Sequence, residues 1–187
     1  MDVISREQAI RLLADSRVKT LTSAERESII LDWWGLDDQT KAYDELSDSL
    51  KSRMRRSDAP EPSMDPAFDP LLSIGMRAKY RGARNSYLSR KVSELLRVQT
   101  EVTGEPEKLL SCACCRYETL EQKGDYDICP VCFWEDDGTQ EAGLYSGPNH
   151  MTLAEGIANF ERYKACSPDM AEHVDPDGSD KYPRAGG

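Results

Sequence analysis

Residues 109–138 read LLSCACCRYETLEQKGDYDICPVCFWEDDG, and two C-x-x-C pairs within them, Cys112 with Cys115 and Cys129 with Cys132, decide how the C-terminal half folds. A tight turn carrying two cysteines can present both sulfurs to one ion, and two such turns complete a tetrahedral shell with zinc–sulfur bonds of about 2.3 Å. Thirteen residues separate the pairs. Segments 117–122 and 126–128 flank Lys123-Gly124-Asp125, so the pattern predicts a hairpin with one pair at each end, the logic of a zinc ribbon. Four thiolates suit zinc first and an iron–sulfur centre second. A closed four-cysteine shell leaves no position for a reacting water. The expected cofactor is therefore a structural Zn2+ held by Cys112, Cys115, Cys129 and Cys132, with no catalytic residue assigned. A hairpin this small buries too little apolar surface to fold unaided, and metal binding supplies the missing free energy.

Two cysteines remain. Cys114 sits between proposed ligands and is read as packing beside the turn, with a replacement ligand or a reactive thiol as alternatives. Cys166 follows a helix and reads as inert. His150 competes between a fourth-ligand role and a loop hydrogen bond, and the filled shell favours the loop. Phe133 and Trp134 run directly into Glu135, Asp136 and Asp137; such rings cover a metal site or anchor a binding surface. Thr152 and Glu155 form a capping box, and Leu153, Ile157 and Phe160 then align on one face of a helix that closes the ribbon.

Taken together, CACCRYETL, GDYDICPVCFWEDD and GPNHMTLAEGIANF resemble the bacterial cysteine-rich CPCC family over residues 109–163. Ala113 stands where the family name has proline, and Arg116 where a knuckle glycine is frequent. The resemblance implies a small metal-binding domain in accessory proteins of bacteria, some placed near toxin systems.

Upstream the signals are helical. Ser5 with Gln8 and Thr22 with Glu25 read as capping boxes, Gly35 as a helix C-cap, and Tyr43, Leu46, Leu50 and Met54 as one amphipathic segment. Residues 57–70, SDAPEPSMDPAFDP, hold four prolines and predict a linker or extended strap, because proline lacks a donor and turns its predecessor away from helix. A further helix is expected near 86–99, with Leu88, Val92, Leu95 and Leu96 on one face. The expected architecture is α+β: a helical region over 1–57, the strap over 58–70, a helical region over 71–104, the ribbon domain over 105–166, and a frayed acidic tail over 167–187.

Charge is divided unevenly. The chain of 187 residues has net charge −10; residues 1–100 carry 17 Lys and Arg against 16 Asp and Glu, leaving 7 against 18 for residues 101–187. An acidic half argues against a grip on nucleic-acid phosphates and attracts a basic protein partner. The basic run Arg77, Lys79, Arg81, Arg84, Arg90, Lys91 and Arg97 reads as a solvated helix face, with a phosphate-binding patch as the alternative. The N-terminus has charges where a secretion signal would be apolar, and no stretch approaches the roughly 18 apolar residues of a membrane span, so a cytoplasmic protein is expected. The functional expectation is a non-enzymatic zinc-binding module for protein–protein interaction, with an immunity protein that neutralises a bacterial toxin as its specific form. The alternatives are a nucleic-acid-binding zinc-ribbon regulator and, behind it, an enzyme using Cys114 with His150.

Overall fold

The computed structural model describes residues 2–56 and 64–186. Strand β1 (Asp2–Ser5) leads into helix α1 (Arg6–Val18), followed by α2 (Ser23–Trp33), α3 (Lys41–Asp44), α4 (Asp48–Arg56), α5 (Asp69–Ala78), α6 (Asn85–Leu96) and β2 (Thr100–Thr103). The C-terminal half holds β3 (Leu110–Ser111), β4 (Glu118–Leu120), β5 (Tyr145–Ser146), β6 (Met151–Thr152), α7 (Leu153–Tyr163) and α8 (Gly178–Lys181). These elements divide into two compact units: one runs to Arg81 and resumes over Leu88–Gly104, and the other comprises Gly82–Tyr87 and Glu105–Gly187. The α+β class expected from sequence is the one observed.

In the first unit, α1 and α2 begin where the capping boxes place them. The Ser5 hydroxyl accepts from Gln8 N while the Gln8 side chain accepts from Ser5 N, and Thr22 with Glu25 repeats the exchange. Ile29 and Ile30 of α2 pack with Leu71, Leu72, Ile74 and Met76 of α5 in one core. The two helices approach closely at Gly75, where an added Cβ would lie 2.6 Å from Ile29 Cγ2. Strands β1 and β2 pair in parallel with Asp2 opposite Thr100 and Ser5 opposite Thr103. Helix α6 covers the far edge of β2 with hydroxyls: Ser93 Oγ accepts from Thr100 N at 2.9 Å and Ser89 Oγ from Val102 N at 2.8 Å. Those bonds satisfy donors that a bare strand edge would leave open.

Four expectations need correction. The segment through Tyr43, Leu46, Leu50 and Met54 is two helices, because Ser47 starts a new one by accepting from Leu50 N at 3.2 Å. Gly35 is not a left-handed cap; Leu36 N donates to Trp33 O at 3.1 Å, and the α2 cap at Trp34 keeps right-handed torsions. The strap expectation over 57–63 lies outside the described residues, but from Asp65 onward the chain is folded. Asp65 caps a short 3-10 turn (Pro66–Phe68), Phe68 is fully buried, and Pro70 occupies the first turn of α5, where its missing N–H is harmless. The acidic tail is not frayed either. It carries a 3-10 turn (Pro168–Met170) and α8, buries Tyr182, and pairs the buried Lys181 with Asp175 at 2.9 Å. Its acids therefore serve as partners and turn formers.

Candidate metal centre

Each C-x-x-C pair sits at the tip of its own hairpin, and the two tips are built alike. In the first, Cys112 N donates to Tyr117 O at 2.8 Å and Arg116 N to Cys112 O at 2.9 Å; in the second, Cys129 N donates to Trp134 O at 2.9 Å and Phe133 N to Cys129 O at 2.8 Å. The fourth residue after each leading cysteine turns left-handed, Arg116 at φ 66° and Phe133 at φ 65°. That conformation suits glycine, so both side chains are held there against a local steric preference. The first tip is flanked by antiparallel β3 and β4, the second by a bridge between Ile128 and Glu135.

This differs from the single hairpin expected between 117–122 and 126–128. The intervening loop does not fold back on β4, because Gly124 N donates to Asp136 Oδ2 at 2.7 Å and Tyr126 N to Asp136 O at 2.9 Å. Those bonds pin the loop to the strand that follows the second pair. The ribbon-like unit with four clustered cysteines stands; its strand partners are local to each knuckle.

The two tips bring Cys112, Cys115, Cys129 and Cys132 together, all buried, with their sulfurs within 4.8 Å of one another. Cys112 Sγ lies 3.7 Å from Cys132 Sγ, and Cys115 Sγ lies 3.6 Å from Cys129 Sγ. A tetrahedron with 2.3 Å arms has edges of about 3.8 Å, so the donors fit a tetrahedral metal ion in both chemistry and spacing. Burial opposes ionisation of Cys129, but hydrogen bonds from Cys112, Cys115, Cys132 and the Thr119 hydroxyl outweigh it and hold that thiol well below its ordinary range. Cys115 is pushed up by its hydrogen bonds with Cys112 and Cys129, and Cys132 by burial and then Cys112. Crowded thiols cannot all ionise together without a cation among them.

Three segments close around this cluster. Helix α7 lies over Trp134 at Gly156, where an added Cβ would come within 2.6 Å of the fully buried indole. The turn at 147–150 is fastened by Asn149, which accepts from Glu135 N at 2.9 Å and donates to Glu135 O at 2.8 Å, imitating a strand partner. The C-terminal segment then binds both knuckles: Asp175 N donates to Pro130 O at 2.8 Å, Glu118 N to Pro183 O and Ala185 N to Arg116 O at 2.9 Å, and Arg184 Nε to Cys115 O at 3.1 Å. Sequence reading missed Asn149, Gly156, Thr119 and this C-terminal wrap. The motif GPNHMTLAEGIANF already contained the first two.

Cys114 is buried 3.6 Å from the Cβ position at Gly156, whereas His150 is exposed in the β5–β6 turn with its N–H on Gly147 O. Among the described residues no hydrogen bond joins the two. Cys166 donates through Sγ to Phe133 O at 3.3 Å, and burial, with smaller effects of Cys114 and Cys112, pushes its thiol up to about 12. Neither cysteine belongs to the four-sulfur group. In the first unit an open cleft of about 430 Å³ is lined by Arg11, Asp15, Lys19, Glu45, Asp69 and Ser73. Three of its carboxylates are engaged: Glu45 pairs with Arg11 at 3.1 Å, Asp15 accepts from Ser73 Oγ at 2.5 Å, and Asp69 pairs with Arg26 at 2.9 Å. The basic run is partly engaged as well, since Arg77 bonds Glu45 and Arg84 donates to Ser179 O and Tyr182 O. Among the described residues no helix is long and apolar enough to cross a membrane.

No curated protein and no solved structure matches the chain. A family model does match: residues 110–180 correspond to the family described as Cysteine-rich CPCC. The matched region runs through the second knuckle, α7 and most of α8, so it takes in much of the segment that the structure wraps around the cysteines. Residues 110–180 of this chain are thus similar to the cysteine-rich CPCC family, and they hold the four-cysteine candidate metal centre.

Proposed function

We propose that the protein is a non-enzymatic zinc-binding module whose acidic C-terminal unit docks onto a basic protein partner. The carrying observation is the set of four buried sulfurs within 4.8 Å of one another, two pairs of them at tetrahedral-edge separations. Four thiolates in a closed, tetrahedral arrangement favour zinc in a structural role, because a catalytic zinc keeps one position open to water. Cys112, Cys115, Cys129 and Cys132 would hold the ion. Bound there, it would neutralise crowded thiolates and join two knuckles, the first flanked by strands of two and three residues and the second by a single bridge. The metal then acts on function by holding a surface rigid. The charge imbalance supplies the partner's chemistry, since 18 acids against 7 bases over 101–187 steer a basic surface toward this unit. A basic bacterial toxin neutralised in the cytoplasm is the specific case of this reading.

Elemental analysis of the purified full chain tests the metal. About one zinc per chain is expected, with Cys112→Ser and Cys129→Ser each losing the ion and unfolding the second unit, as read by loss of dispersed amide resonances. A metal-free chain with the native spectrum would overturn the proposal. A cationic partner recovered with the wild type but not with either variant would identify the docked protein.

A further inference from the structure

The loop pinned to Asp136 presents an aromatic residue in an unusual way. Tyr126 N donates to Asp136 O at 2.9 Å, and Asp136 N donates to Asp127 O at 3.0 Å, so two residues of one strand oppose one of the other. This is the bonding of a G1 bulge, whose first position is left-handed and normally glycine. Tyr126 occupies it at φ 62°. A bulky side chain in that conformation is strained, and the fold here spends the strain on display: Tyr126 is 60% exposed. Two residues on, Ile128 is 49% exposed beside the bridge to Glu135.

The surroundings define what this patch can receive. Residues 121–128 and 135–137 carry six carboxylates, from Glu121, Asp125, Asp127, Glu135, Asp136 and Asp137, against the single ammonium of Lys123. That ammonium is already bonded to Ser111 O. Asp136, directly across the bulge, is fully buried, and one of its carboxylate oxygens has no hydrogen-bond partner. A second apolar surface would gain nothing from this field, whereas a guanidinium or ammonium would gain twice, from the acids and from the negative face of the ring.

We infer that Tyr126, with Ile128 beneath an acidic rim, is the point at which an Arg- or Lys-bearing segment of a partner protein docks. The inference rests on the basic-partner reading above and locates its surface. The cation lies over the phenol ring, flanking aliphatic stems cover Ile128, and Asp125 and Asp127 close on the charge.

The test uses the full-length zinc-loaded protein, nona-arginine as probe and an uncharged Gly/Ser peptide as control. At low salt the expected amide shift changes centre on 124–128 and 135 and are absent with the control. Tyr126→Gly should lower affinity about fivefold while leaving the melting temperature unchanged or raised, since glycine accepts the bulge torsions. Tyr126→Phe should retain binding, and Asp125→Asn with Asp127→Asn should weaken it with the ring intact. A residue of purely structural importance would not separate affinity from stability in this direction. Nona-arginine binding elsewhere on the acidic unit, with Tyr126→Gly at full affinity, would sink this inference and leave the basic-partner reading standing. Failure of the wild type to bind the probe at all would overturn both.

Discussion

Replacing Gly156 by alanine adds one methyl group where helix α7 crosses Trp134, and the structure sets its cost. The new Cβ would lie 2.6 Å from Trp134 Cζ3, 3.0 Å from Cε3 and 3.6 Å from Cys114 Sγ. Carbon atoms prefer about 3.5–4.0 Å, so the nearest contact is short by about 1 Å. The neighbour cannot easily give way, because it is a rigid ring in a fully buried side chain rather than the far end of a flexible one. Overpacking of this kind costs about 1–3 kcal/mol, and a rigid obstacle places it at the upper end. Alanine returns about 1 kcal/mol through helix propensity. The net loss is about 2 kcal/mol, which for a unit of this size lowers the melting temperature by roughly 8–16 °C. Calorimetry of the full chain measures it, with Gly143→Ala as the control, since nothing lies within 4 Å of a Cβ there. A Gly156→Ala protein that melts at or above the wild-type temperature would show that propensity wins and that the approach of α7 to Trp134 is not tight.

Asn149→Ala removes both bonds to the Glu135 backbone, and the stranded donor and acceptor should cost about 1–3 kcal/mol, read by chemical denaturation; an unchanged midpoint would mean water replaces the side chain fully. Truncation after Ser167 should abolish the native spectrum of the second unit, because it strips partners from Pro130, Glu118 and Arg116, and a truncated chain with native amide shifts would return this segment to the status of a tail. Acid should weaken the start of α7. The Glu155 carboxylate accepts from Thr152 N and Oγ, which holds it below its ordinary value of 4.5. A depressed folded value means the stabilisation is complete above about 4.5 and is lost as pH falls through the folded value. Amide protection at the first turn of α7, corrected for the pH dependence of intrinsic exchange, should therefore fall with acid in the wild type and be insensitive to it in Glu155→Gln. Parallel profiles in the two proteins would contradict the assignment.

What the sequence disclosed follows the range of the interactions involved. Capping boxes act over three residues, so Ser5 with Gln8, Thr22 with Glu25 and Thr152 with Glu155 could be read directly and recur in the structure. The cysteine pairs were legible for the same reason: two residues of spacing leave few ways to arrange a pair of sulfurs. The pairing of β1 with β2 was not, because four-residue strands about a hundred positions apart leave no periodic trace. The tail misled because its composition suggests solvation, whereas its contacts are mostly backbone bonds to Pro130, Glu118 and Arg116 that any side chain could make. Asn149 and Gly156 lay in a motif quoted for its likeness to a family, yet their roles depend on Glu135 and Trp134, which fold against them from elsewhere.

The division of stabilising work between the two halves explains why the candidate metal site belongs to one of them. The first unit encloses Ile30, Leu50, Phe68, Leu71 and Leu72, each nearly or fully removed from water and each contributing about 1.5–3 kcal/mol by its burial. The second unit spends much of its interior on six cysteines and one tryptophan, with strands too short to hold their own register. Its knuckles also keep Arg116 and Phe133, and the loop between them Tyr126, in torsions that glycine would adopt freely. Such an interior pays for strain only if something stronger than dispersion ties its turns together. A metal ion bonded to the four thiolates would supply that tie, and the part of the fold with the least apolar core would then also be the part that can hold an exposed tyrosine under strain.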